Sequence, residues 1–183
     1  MIPKRNTRTI QVRDLAIGGE APIAVQSMAA TRTRDVEATL RQVHILNEAG
    51  ADLIRIAVDS KEDVECLAQI RKETDARLSV DLQESYRLAT LVAPHVDKIR
   101  YNPGHLHHHE KARPIPEKVA FIAETAAEHG CAIRIGVNAG SIAPEYKERF
   151  GDDHTGAIAQ CAVDHCEFLD GADFHDYVVS IKD

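Results

Sequence analysis

The chain has 183 residues, 44% of them apolar and 28% charged, with a net charge of −7. That is enough to bury a core and ordinary for a globular domain. The acidic balance gives no general attraction for nucleic acid or a membrane surface, so any site for an anion must be built locally. No apolar run approaches the ~20 residues of a membrane span, and no apolar stretch follows the basic residues of "MIPKRNTRTIQV", which predicts no secretory signal and a cytoplasmic location.

In chain order, residues 8–17 read as a small hairpin turning at Arg13-Asp14, and "IAVQSM" (23–28) as a strand. Residues 33–50 form an amphipathic helix: Val36, Leu40, Val43 and Leu46 recur at helical spacing and Gly50 closes it. A strand over 52–58 precedes a helix over 60–74 with Ser60 as N-cap. A strand over 77–82, a short helix over 84–93 and a strand over 96–101 follow. A loop then leads to a helix over 117–130, a strand over 132–137, a loop over 138–153, a helix over 154–170 and a last strand over 176–182. Strict alternation of strand and helix predicts a parallel sheet with helices outside.

Two α/β architectures fit, a doubly wound open sheet and a (β/α)8 barrel. Neither G-x-G-x-x-G nor a P-loop follows the first strand, which argues against a nucleotide fold. Polar residues at the C-terminal end of strand after strand favour the barrel, whose site lies at that end. The barrel is then incomplete, with about six strands in this chain and two open edges that invite association.

Three of the strands, "LIRIAV", "KIRY" and "AIRIGV", each carry an arginine inside an apolar run: Arg55, Arg100 and Arg134. A guanidinium stays charged and is costly to bury unpaired. Side chains alternate along a strand, so Ile54 and Ile56 face the helices while Arg55 faces inward, and Ile133 and Ile135 do the same around Arg134. The strand ends add Gln26 and Ser27, Asp81 and Gln83, Asn102, Asn138 and Lys182. Converging cations and amides with one carboxylate describe a site for a small, multiply charged anion. The competing reading is a set of ion pairs to acids on neighbouring strands, with Asp81 the nearest candidate.

Cys66, Cys131, Cys161 and Cys166 form no C-x-x-C and read as reduced thiols rather than a metal site. "GHLHHHE" (104–110), with His105, His107, His108 and His109, reads as a solvated loop, adventitious binding of Zn2+ or Ni2+ being the alternative.

The motifs "IGGEAPIAVQSM", "EAGADLIRIAV", "DKIRYNPG" and "IRIGVNAGS", in this order, resemble the 4-hydroxy-3-methylbut-2-enyl diphosphate synthase family of isoprenoid biosynthesis, from residue 8 to "VVSIKD". The resemblance implies an N-terminal TIM barrel, to which residues 1–183 belong, and a C-terminal iron–sulfur domain outside them. It implies reductive opening of 2-C-methyl-D-erythritol 2,4-cyclodiphosphate by a 4Fe-4S cluster, with flavodoxin or ferredoxin as electron donor, in a homo-oligomer. Arg55, Arg100, Asn102, Arg134, Asn138 and Lys182 fall on the positions that hold the cyclic diphosphate, and Asp81 on a carboxylate near the substrate hydroxyls. The cluster ligands and the acid-acting glutamate are expected beyond residue 183, which leaves a non-catalytic, anion-binding half-barrel as the alternative reading of the chain alone. Two stretches depart from the family pattern: "SMAATRT" (27–33) stands for "SMTNTDT", and "DLQE" (81–84) for "DIHF".

Overall fold

A computed structural model describes residues 6–83 and 85–183. Strands β1 (Thr9–Val12) and β2 (Leu15–Gly18) pair antiparallel, with Arg13 at positive φ in the turn between them, so the predicted hairpin forms. The other six strands make one parallel sheet in chain order: β3 (Gln26–Met28), β4 (Leu53–Val58), β5 (Leu78–Leu82), β6 (Lys98–Tyr101), β7 (Ala132–Asn138) and β8 (Tyr177–Lys182). Sequential order with helices between successive strands is the winding of a TIM barrel, and β3 and β8 are its unpaired edges among the described residues.

The helices begin and end for local reasons. Asp35 caps α1 (Val36–Glu48) by accepting from the Ala38 N–H. Ser60 and Asp63 cap α2 (Lys61–Lys72) reciprocally, an arrangement worth about 1 kcal/mol or more. Helix α4 (Ile115–His129) stops at Gly130, whose φ of 66° a side chain would disfavour. Helix α6 (His154–Gly171) is capped by Asp153. Between β5 and β6 the predicted short helix is a 3-10 turn (Tyr86–Leu88), one α-helical turn, α3 (Ala89–Val92), and a second 3-10 turn (Ala93–His95); residue 84 lies outside the described residues. The expected loop over 138–153 holds a further helix, α5 (Pro144–Phe150), placed by Pro144 at its first position and Gly151 after its end. Strand β3 is shorter than the predicted 23–28, although Val25 still bonds Asp52 and Leu53 of the neighbouring chain segment.

The alternation of each strand decides what goes where. Ile54, Ile56, Val58, Val80, Ile99, Ile133 and Ile135 turn outward and pack with Leu67, Ile70, Val119, Ile122, Ile158 and Leu169 of the helices in one buried cluster. Each such side chain contributes roughly 1.5–3 kcal/mol by leaving water. The opposite face is concave and polar. Below it the hairpin seats Ile10 and Val12 on Leu53 and Ala132, which closes the N-terminal end of the sheet. The two edges keep apolar side chains in the open: Ile23, Val25 and Met28 at one, Val179 and Ile181 at the other.

Candidate functional site

Register brings the charged residues of the concave face together. Ala57, Asp81, Arg100, Arg134 and Val178 lie side by side across β4 to β8, and one step nearer the strand starts Arg55, Ser79, Lys98 and Ala132 do the same. Arg100 donates to Asp81 Oδ1 at 2.7 Å and to the Gly136 carbonyl at 2.9 Å. Its side chain runs so close over β7 that a Cβ at residue 136 would sit 2.1 Å from Arg100 Nε, so glycine is required there. Arg55 reaches the other oxygen of the same carboxylate at 3.8 Å, and its remaining nitrogens meet only the Met28 sulfur, at 2.9 and 3.3 Å. A thioether is a weak acceptor, which leaves this guanidinium poorly satisfied. Among the described residues Arg134 makes no ion pair: its hydrogen bond is to Ser180 Oγ at 2.7 Å, and burial together with Arg55 and Arg100 lowers its pKa against the pull of Asp81.

Among the described residues, three guanidiniums thus face a single carboxylate. The ion-pair reading of the sequence holds for Arg100 and in part for Arg55, and fails for Arg134. Lys98, which sequence reasoning passed over, adds a fourth basic group: it is 3% exposed, donates to Gln26 Oε1 at 2.7 Å, and is pushed down to about 7 by burial and by Arg134 and Arg55. The signal was present, since "KIR" puts Lys98 and Arg100 two apart and so on one face. Ser27 is a correction: it pairs with Ile54 in register and shares that residue's helix-facing side, away from Gln26.

The side-chain oxygens of the two asparagines are both taken by the backbone. Asn102 is 4% exposed, accepts from the Gly104 N–H at 3.0 Å and donates to Ser141 Oγ at 2.8 Å, which ties the loop after β6 to the loop after β7. Gly104 packs so tightly there that a Cβ would lie 1.6 Å from the Ser141 carbonyl oxygen. Asn138 accepts from the Gly140 N–H at 3.1 Å in the same kind of turn, with Asn102 and Asn138 each opening a 3-10 helix (Pro103–His107 and Ala139–Ser141). Lys182 ends β8 beside Asn138, exposed at the sheet edge.

The GcpE TIM-barrel domain model matches residues 7–183. The chain belongs to that family. Two curated relatives, both named 4-hydroxy-3-methylbut-2-en-1-yl diphosphate synthase (flavodoxin), come from Rhodopirellula baltica and Symbiobacterium thermophilum. They are 51% and 42% identical to this chain over all of it, covering 48% of each relative. The chain therefore spans about half the length of the curated relatives it matches. Among solved structures, dihydropteroate synthase from Stenotrophomonas maltophilia superposes with a TM-score of 0.67 at 14% identity, over 94% of this chain and 64% of that one. The 3-dehydroquinate dehydratase of Geobacillus kaustophilus gives 0.57 at 12% identity, over 96% and 79%. At such identities the likeness is one of fold.

In this GcpE-family barrel the cysteines do not fit an iron–sulfur cluster. Cys131 and Cys161 are buried and their thiols are pushed up to about 12 by desolvation, against the thiolate form a cluster needs. Cys131 Sγ instead donates to the Ala93 and Val96 carbonyls. Among the described residues no three His, Cys, Asp or Glu side chains gather as a metal site.

The histidine loop is exposed from His108 to Lys111 and is anchored by specific contacts. His105 Nδ1 bonds the Gln83 carbonyl at 2.6 Å, the His105 and His108 rings stack at 5.3 Å, and His107 lies 3.6 Å from Glu145. Lys118, 1% exposed, holds the loop from below by donating to the Leu106 and His109 carbonyls. A cleft of about 940 Å3 opens between this loop and α5, lined in part by Lys111, Arg113 and Lys147. None of Arg55, Arg100 and Arg134 lines it.

Proposed function

We propose that this chain is the diphosphate-binding barrel of a 4-hydroxy-3-methylbut-2-en-1-yl diphosphate synthase, acting in isoprenoid biosynthesis. The substrate is 2-C-methyl-D-erythritol 2,4-cyclodiphosphate, which the whole protein opens reductively with electrons from flavodoxin. The observation that carries the reading is the excess of guanidinium over carboxylate on the concave face among the described residues: Arg55, Arg100 and Arg134 against Asp81. A bound diphosphate supplies the missing negative charge and matches the planar forks of arginine. Arg134, with no acid of its own, meets the phosphoryl oxygens first; Arg55 turns from the Met28 sulfur to a stronger acceptor; Arg100 stays aligned by Asp81 and the Gly136 carbonyl. Lys182 and the amide nitrogen of Asn138 close the rim. Asn102 acts through the loops it ties, and Asp81 accepts from a substrate hydroxyl once Arg55 turns to the anion.

The 4Fe-4S cluster of the family takes its ligands from outside these 183 residues in this reading, and the open edges β3 and β8 are closed by further chain or by a second subunit. Calorimetric titration of the intact protein with the cyclodiphosphate tests the assignment. Arg134→Ala is expected to weaken binding about 10-fold or more, a loss of ~1.5–3 kcal/mol for a charge-assisted contact. Lys at this position is expected to restore only part, because the fork is lost. Unchanged affinity in Arg134→Ala would sink the reading.

A further inference from the structure

We propose that Lys98 adjusts the charge of the anion site, its amine taking up a proton when a multiply charged anion settles on Arg55, Arg100 and Arg134. The inference rests on the anion-site reading above and adds to it a coupling between binding and pH.

Position carries the argument. Lys98 lies level with Arg55 and one inner-face step from Arg100 on its own strand. Once protonated, its amine has three donor positions, of which Gln26 Oε1 takes one. Beside it in register stands Ser79, fully buried, whose Oγ has no hydrogen-bond partner among the described residues. An orphaned buried hydroxyl is uncommon and costly. Here it is an acceptor waiting next to a donor that becomes stronger on protonation. A cleft of about 450 Å3 opens onto the same place between the sheet edges, lined by Gln26, Lys98, Arg134 and Ser180 among others.

Burial first, and then the charges around Lys98, disfavour the protonated form before binding. Arg134 on β7 and Arg55 on β4 repel an ammonium there, and burial removes its water. The acid on β5, Asp81, is spent on Arg100 and Arg55. β3 offers Gln26, β8 offers Ser180 and Val178, and the hairpin below packs Ile10 and Val12, so none of these adds a charge. The amine accordingly titrates at about 7, near neutrality. A phosphoryl anion neutralises the two arginines and adds its own negative potential. One such charge a few ångström away, at an effective dielectric near 20, moves a lysine up by about two pH units.

The test is calorimetry with trimetaphosphate, a cyclic polyphosphate that is fully ionised near neutrality and so brings no protons of its own. Titrations of the intact protein at pH about 8, in amine buffers of different ionisation heat, count the protons taken up. The expected result is close to one proton per anion at that pH, none at pH about 6, and an affinity that falls up to tenfold per pH unit above about 7. Lys98→Arg, permanently charged, should bind with no uptake and without the fall in affinity. Lys98→Met should bind more weakly, again without uptake. Uptake that persists in both variants, or is missing from the wild type, overturns the proposal while leaving the anion site standing. Failure of every form to bind trimetaphosphate overturns the anion-site reading and this inference with it.

Discussion

Asp81→Asn puts the charge balance of the concave face under direct strain. Asp81 is 5% exposed and is the carboxylate that both Arg100, at 2.7 Å, and Arg55, at 3.8 Å, address. Asparagine keeps the shape and one acceptor oxygen but removes the charge, so three guanidiniums face each other with no counterion. Removing one partner of a buried pair costs about 3–5 kcal/mol, and the surviving hydrogen bond places this variant near 3. For a chain of this length that is a fall in Tm of about 6–12 °C. A bound anion replaces the missing charge, and at a hundredfold excess over its Kd contributes about 2.7 kcal/mol. The anion no longer meets the repulsion of Asp81, so its stabilisation of the variant should exceed that of the wild type. Thermal melts of the two proteins at low ionic strength, with and without trimetaphosphate, measure both effects. An Asp81→Asn protein that melts with the wild type would refute the idea that the arginines need this carboxylate. One that melts low and is not restored by the anion would show that the loss is one of packing.

Three further outcomes follow from the same geometry. Arg134→Ala should leave Tm unchanged or slightly raised, because Arg134 faces Arg55 and Arg100 and leaves no acid behind; a large fall in its melting curve would mark Arg134 as structural. Gly136→Ala should cost about 1–3 kcal/mol by driving Arg100 off Asp81, and should cost much less in an Arg100→Ala background, which a double-mutant cycle reads directly. His165 is 1% exposed, bonded through Nδ1 to the Tyr101 hydroxyl at 3.1 Å, and lowered to about 3 by burial. The unfolded chain then binds the extra proton between about 6.5 and 3, so stability is full above 6.5 and declines as pH falls. His165 accounts for ~2 kcal/mol of that loss by pH 5, and denaturant melts of His165→Gln should show a shallower slope with pH.

Much of the frame was legible because it depends on local pattern. Alternating strands and helices specified the parallel sheet, and the two-residue period put Arg55, Arg100 and Arg134 on one face, as observed. What depends on register was not legible. No feature of "RLSVDL" says that Asp81 will stand level with Arg100 rather than with Lys98, yet that choice makes one arginine paired and another free. Ser27 was misplaced for the same reason, its face being set by the pairing with Ile54. Asn102 and Asn138 looked like substrate ligands beside the arginines, but an asparagine ahead of a glycine two residues on is also the signature of a turn, and the backbone claims both side-chain oxygens. The helix Pro144–Phe150 was hidden by its brevity, although proline at its start and glycine after its end announced it.

The arrangement of the site also says where its precision comes from. Its arginines are carried by the strands of a stiff parallel sheet, while the loops above are tied to each other by Asn102, Ser141 and the close approach of Gly104. Guanidiniums held this way are already near one another before any anion arrives, so binding spends little on ordering them. The cost is electrostatic: like charges lie close together, with Asp81 offsetting part and the Lys98 pKa pushed down by burial and by Arg134 and Arg55. A site in that condition favours the species that restores all the missing charge at once. On the proposed reading that favours two phosphoryl groups in one ligand, since a single phosphate would satisfy Arg134 and leave Arg55 on its sulfur. Affinity for a cyclic diphosphate should therefore exceed that for inorganic phosphate by more than the gain from one extra charge-assisted contact, and Arg55→Ala should reduce the two affinities toward each other. Equal losses for both anions would mean that the guanidiniums act as a diffuse positive field, with no fixed assignment of arginine to phosphoryl group.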